Sequence, residues 1–228
     1  MIAKKNNFYI KFLKRLFDIV CSLLAMTVFC WLFLIVAVLV KIKLGSPVIY
    51  SAQRVGMNEK TFRLYKFRSM TNETDNDGNL LPDADRLTKF GRILRATSLD
   101  ELPEAWNILK GDMSVIGPRP LPVQYLPYYT DAERHRHDVR PGLSGLAQVN
   151  GRNAIGWEEK FNYDLTYVNK VTFFIDLKII FQTVFIVFKH EDIGLRGVDM
   201  PPDFDAYRHS KEGEKVGFKG TESYIESH

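Results

Sequence analysis

The sequence predicts an α/β (α+β) protein in which a membrane-inserted helix precedes a compact catalytic domain. Three observations lead there. Residues Ile19 to Val40 form a run of 22 residues in which only Ser22 and Thr27 are polar. Behind it, two segments rich in β-branched and aromatic residues flank a turn through Gly56-Met57-Asn58, the pattern of a small β-hairpin. Farther on, apolar segments alternate with Gly- and Pro-rich stretches, which places short helices between loops.

The elements follow in order. As one helix the apolar run would measure roughly 33 Å, enough to cross a hydrocarbon core. It is too long for the apolar part of a signal peptide, and Leu44-Gly45-Ser46-Pro47 behind it reads as a turn. Lys4, Lys5, Lys11, Lys14 and Arg15 precede the run, and Lys41, Lys43, Arg54 and Lys60 follow it. Basic residues on both sides do not orient a spanning helix, and they suit a re-entrant segment with both ends on the cytoplasmic side. Residues 1–44 are thus assigned to the membrane segment, 45–193 to the catalytic domain and 194–228 to a disordered tail, where Gly, Pro and charged residues dominate.

Within the catalytic domain, Pro47 to Arg54 and Thr61 to Met70 are the predicted strands, with Lys66 and Arg68 on one face. Residues 72–85 are acidic and polar and read as a surface loop. Leu87 to Ala96 predicts a short helix, and Ser98 opens another that runs through Trp106 and Leu109. Gly111 to Pro122 is expected to be loop. Tyr125 to Val139 is expected to be helical, with the dense charges of 131–137, His135 and His137 among them, on a solvated face. Pro141 to Asn153 reads as loop with a short strand at Leu146 to Val149. Val171 to Lys189 reads either as a core helix or as an amphipathic helix lying on a bilayer.

Charge and cysteines narrow the chemistry. A net charge of +4 suits anionic headgroups or phosphorylated substrates. No compact basic run or nucleic-acid motif is present, so nucleic acid is not an expected partner. Cys21 and Cys30 both lie inside the apolar run, with neither a disulfide framework nor a zinc spacing.

Ser98-Leu99-Asp100-Glu101 carries two compatible readings. Ser followed three residues later by Glu is a capping box. Two acids at a helix start can also hold Mg²⁺ or attack a phosphorus centre. In Gly117-Pro118-Arg119-Pro120, flanking prolines restrict the backbone of an arginine whose planar fork matches phosphate oxygens. Arg140 before Pro141-Gly142, and Arg152 within Asn150-Gly151-Arg152-Asn153, repeat the theme of Arg in a tight loop. With Lys66, Arg68 and Arg95 they predict a convergent anion site.

Several of these motifs, in order, carry a resemblance. An N-terminal membrane segment is followed by Tyr65-Lys66-Phe67-Arg68-Ser69-Met70, Ser98-Leu99-Asp100-Glu101-Leu102-Pro103 and Lys110-Gly111-Asp112-Met113-Ser114. Gly117-Pro118-Arg119-Pro120 and Arg140-Pro141-Gly142 come next. The set resembles the bacterial sugar transferases, and among them the small monotopic polyprenyl-phosphate phosphoglycosyl transferases, over about residues 11 to 190. The resemblance implies transfer of a phospho-sugar from a UDP-sugar to undecaprenyl phosphate with release of UMP, at the cytoplasmic face of the bacterial inner membrane. It implies Asp100 as nucleophile and ligand of Mg²⁺, with Glu101 beside it as acid/base or supporting partner. Arg95, Arg119, Lys66 and Arg68 would bind substrate phosphate, and Arg140, Arg152 and Asn150 would form a nucleotide or lipid-phosphate loop. Membrane lipids are implied partners, and the apolar run with 171–189 makes a homodimer plausible. Family members usually break the membrane helix with a Ser-Pro pair, whereas Phe29-Cys30-Trp31 stands here and the run has no proline. A UDP-releasing glycosyltransferase and a non-catalytic scaffold are the competing expectations.

Overall fold

The apolar run is broken in two. A π-helical turn, Tyr9–Leu13, leads into α1 (Lys14–Val28), and α2 (Cys30–Leu44) leaves it at 64°. This computed structural model describes residues 8–151, 155–189 and 203–211. The bend needs no proline. Phe29 sits at φ −100°, ψ 15°, and Thr27 donates its hydroxyl back to the carbonyls of Leu23 and Leu24 at 2.9 and 3.1 Å, a contact that bends helices. Among the described residues no single helix is long and apolar enough to cross a membrane.

The first turns of α1 belong to the core rather than to the apolar run. Tyr9 and Lys14 donate to Asp176 at 2.6 and 2.7 Å, and Asp18 accepts from the Ser114 hydroxyl and the Val115 amide, each at 2.9 Å. Arg15 donates to the carbonyls of Ile108 and Leu109 at 2.6 and 2.7 Å. The bent pair beyond them leaves Leu23, Leu24, Trp31, Leu34, Ile35 and Ile42 exposed, and α2 buries only Val36 and Val40.

The hairpin is as the sequence predicts, with shorter strands. β1 (Ile49–Val55) and β2 (Thr61–Phe67) are antiparallel, Ile49 opposite Phe67 and Val55 opposite Thr61. Arg68 therefore lies past the strand end and does not share a face with Lys66. It donates to the carbonyls of Leu44 and of Ser46, the latter at 2.7 Å, and closes the C-terminus of α2. The expected loop 72–85 contains most of one helical turn, α3 (Asp83–Arg86). α4 (Lys89–Ala96) begins on Thr88, whose hydroxyl accepts from the Gly91 amide at 3.0 Å.

Ser98 corrects the capping-box reading. It takes the left-handed conformation (φ 55°) and makes no capping bond. A 3₁₀ turn, Leu99–Glu101, follows, and α5 (Glu104–Lys110) starts only after Pro103. Gly111, at φ 94°, ends α5 in the left-handed conformation that glycine tolerates.

The stretch expected to be loop supplies β3 (Ser114–Ile116), which pairs in parallel with β4 (Gly142–Ser144). The pairing joins the two Pro/Arg/Gly motifs: the Gly142 amide donates to the Pro118 carbonyl at 2.9 Å, and a Cβ on Gly142 would lie 2.0 Å from the Gly117 nitrogen. Residues 125–139 form not one helix but a 3₁₀ turn (Val123–Tyr128), α6 (Asp131–Arg134) and a second 3₁₀ turn (His135–Asp138). His135 is exposed as expected, whereas Arg136 and His137 are buried. Leu146–Val149 is a helical turn, α7, rather than a strand, since β4 already occupies the place beside β3.

α8 (Trp157–Asn169) and α9 (Phe173–Lys189) complete the domain. α9 is amphipathic between two environments. Asp176 and Ile179 are buried, while Phe173, Phe174, Phe181, Val184 and Phe185 are exposed. Within the segment expected to be disordered, residues 204–211 are helical. Phe204 is fully buried among Tyr125, Tyr129, Trp157 and Phe161, and Arg208 pairs with Glu133. One large buried aromatic and one ion pair overcome the polar composition that suggested disorder.

Candidate active site

The α4–α5 corner places the acidic pair. With Ser98 left-handed, the chain turns sharply enough for the 3₁₀ turn to carry Asp100 inward, where it is 4% exposed. A non-glycine residue in this region is uncommon, and such residues cluster at functional sites. Glu101 accepts from Lys66 of β2 at 2.7 Å and meets Arg119 at 3.4 Å. Lys66 also pairs with Glu104 at 2.9 Å, so one ammonium bridges two carboxylates.

Electrostatics follow from this crowding. Burial pushes Glu104 up from its ordinary 4.5 to about 7, the Glu101 charge adds to the rise, and Lys66 and Arg119 oppose it. Burial works against the charge of Arg119, yet Glu101, Glu104 and Asp100 together raise its pKa. Beside these groups is a cavity of about 120 Å³ lined by Arg54, Leu64, Lys66, Glu104, Arg119 and the segment from Pro120 to Pro122.

Arg119 is held from behind. Its backbone carbonyl accepts from Arg136 at 2.8 Å, and Arg136 in turn donates to Asp164 from two nitrogens at 3.0 and 2.8 Å. Both members of that pair are buried, beside Tyr129 and Phe161. The loop that presents Arg119 thus rests on a buried ion pair.

The predicted site residues separate into groups. Asp100, Glu101, Lys66 and Arg119 come together. Arg95 donates to the Ser69 hydroxyl at 2.9 Å, just beyond β2. Arg68 is spent on the end of α2. Arg140 donates to the Gly111 carbonyl at 2.9 Å and faces Arg15 and Asp18. Asn150 closes α7 by bonding the Leu146 carbonyl at 2.7 Å. Arg152 lies outside the described residues. The sequence reading missed Glu104 and Arg54. Glu104 was signalled by its three-residue spacing from Glu101 across Pro103, whereas nothing local marks Arg54.

Among the described residues no group of three His, Cys, Asp or Glu is placed to hold a metal ion. Mg²⁺ commonly takes one or two carboxylates and completes its octahedron with water and substrate phosphate. Asp100, a buried carboxylate with hard oxygen donors next in the chain to Glu101, fits that mode of binding.

The family model for bacterial sugar transferases matches residues 9–190. A Bacillus subtilis protein named as the uncharacterized sugar transferase EpsL is 51% identical over 79% of this chain and 90% of its own length. A Salmonella typhimurium undecaprenyl-phosphate galactose phosphotransferase is 38% identical over 83% of this chain. A Klebsiella pneumoniae UDP-glucose:undecaprenyl-phosphate glucose-1-phosphate transferase is 42% identical over 75% of it. The matched region spans 43% and 39% of those two relatives.

Proposed function

The chain belongs to the bacterial sugar transferase family, and from that membership we propose that it is a phosphoglycosyl transferase. It moves a sugar-1-phosphate from a UDP-sugar to undecaprenyl phosphate and releases UMP, a membrane step in surface-polysaccharide assembly. The names of two relatives support the acceptor. The observation that carries the reading is a buried Asp100 whose charge acts on Arg119 and whose neighbour Glu101 meets Lys66 and Arg119, two of the cations that line the nearby cavity.

The chemistry needs a nucleophile, an in-line phosphorus and neutralised charge. An Asp100 carboxylate oxygen attacks the β-phosphorus, and the electron pair of the broken bond leaves on the UMP oxygen. An oxygen of the lipid phosphate then attacks the same phosphorus and releases Asp100. Arg119 and Arg95 steady the phosphates, while Lys66 fixes Glu101 and Glu104 and keeps two carboxylates from repelling the donor. Mg²⁺ held by Asp100 would offset diphosphate charge.

The bent α1–α2 pair serves in this reading as a re-entrant hairpin at the cytoplasmic face. Basic residues on both flanks and the exposed apolar side chains of α1, α2 and α9 support it.

Product identity tests the reading. Purified protein in detergent, given Mg²⁺, UDP-sugars and undecaprenyl phosphate, is expected to release UMP. Asp100→Asn is expected to lose at least about 10³-fold in rate while folding and membrane association persist. Release of UDP, or an active Asp100→Asn, would overturn it.

A further inference from the structure

One cation in the cavity is left unengaged by the protein itself. Lys66 is held between Glu101 and Glu104, and Arg119 meets Glu101. Arg54, on β1, lines the same cavity, and its side chain makes no hydrogen bond or ion pair with any described residue. A guanidinium carries five N–H donors, and on this half-buried residue none is taken up by a described residue. Burial disfavours the charge of this one and lowers its pKa.

The position of Arg54 is fixed on both sides. Its backbone lies in the hairpin opposite Phe62 and bridges Pro122, and the adjacent Val55 amide donates to the Leu121 carbonyl at 3.1 Å. The segment that follows Arg119 therefore runs against Arg54. A cavity of about 120 Å³ is well below the roughly 300 Å³ at which sites for whole small ligands begin. Three cations and one carboxylate line it, so it suits a single anionic group.

We propose that Arg54 is the counter-charge for the phosphate that leaves with the nucleoside. The inference rests on the phosphoglycosyl transfer described above. In that step a bond forms between Asp100 and the β-phosphorus, and the bond from that phosphorus to the bridging oxygen breaks. Its electron pair stays on the bridging oxygen, so the departing nucleoside monophosphate carries one more negative charge than it had in the donor. No proton is required. Lys66 and Arg119 are in direct contact with carboxylates, whereas Arg54 feels the Glu104 charge without a bond to it and has its fork available for two phosphate oxygens. A contact that strengthens as charge develops lowers the barrier rather than only the KM.

A second phosphate, that of the lipid acceptor, has the same chemistry and enters once the first has gone. Three readouts on the whole protein in detergent separate the two. They are binding of UMP and of uridine by calorimetry, exchange of labelled UMP into UDP-sugar without acceptor, and the KM for undecaprenyl phosphate. In Arg54→Gln, UMP affinity and exchange are expected to fall about tenfold or more, with uridine affinity and lipid KM unchanged. Arg54→Lys, which keeps charge but loses the fork, should fall between, and it decides the matter if the Gln variant does not fold. A raised lipid KM with intact exchange would assign Arg54 to the acceptor and overturn the proposal, as would no change in any readout. Wild-type protein that binds UMP through Arg54 yet shows no exchange would sink the transfer reading while leaving the phosphate site standing.

Discussion

At the scale of single residues, Glu104 is expected to set how the site responds to pH. Its folded pKa is raised to about 7 from 4.5, so between those values the native state holds a proton that the unfolded chain has released. Its contribution to stability is therefore complete below about 4.5 and is lost as pH rises through 7. Glu104→Gln is expected to shrink the fall in melting temperature between pH 5 and pH 8, and to remove an ionisation near 7 from the pH profile of UMP exchange. An unchanged profile would show that Glu104 does not titrate in the working enzyme. His137 acts in the opposite sense, since burial lowers it to about 3 and its contribution fades as pH falls below its usual 6.5. That Asp100, Glu101, Lys66 and Arg119 come together was legible in the sequence because each sits in a short motif built around charged residues. Arg68 and Asn150 lie apart from that group for a physical reason. A loop arginine or asparagine satisfies backbone carbonyls as readily as a ligand, and only the fold shows which partner it meets.

Among the elements, the hairpin could be read from alternation and turn chemistry, and α4 from its periodicity. Ser98 to Lys110 could not, because a left-handed serine is imposed by the turn between α4 and α5 rather than by local preference. The parallel β3–β4 pair was equally hidden, since each strand has three residues and their partners are 28 apart in sequence at Ser114 and Gly142. The helix at 204–211 owes its place to tertiary contact. Phe204→Ala is expected to cost about 3–5 kcal/mol, as for other fully buried aromatics, read by denaturant unfolding in detergent. Part of that loss should be shared by the Arg119 loop, because Phe204 packs on Tyr129 and Phe161, the rings beside Arg136. A loss under about 1 kcal/mol would mean the helix is not docked in solution.

For the whole molecule, the apolar segment was evident from composition, but its break at Phe29 was not, since no proline marks it. Topology is open to direct measurement. Single cysteines introduced near Lys5 and near Lys43, in a chain whose Cys21 and Cys30 are replaced, are expected to be labelled from the cytoplasmic side alone. Modification of the Lys5 side only from the periplasm would end the re-entrant reading.

The bond from Arg15 to the last carbonyls of α5 then acquires a wider meaning. α5 carries Glu104 at its first residue and follows directly on the turn bearing Asp100. Arg15 is the second residue of α1, the first arm of the bent pair. Under the re-entrant reading proposed above, the depth of that arm in the bilayer would be coupled, through one guanidinium, to the height of the Asp100 carboxylate. A bilayer too thin or too thick for the hairpin would then offer donor and acceptor to a misaligned carboxylate, and turnover would depend on acyl-chain length.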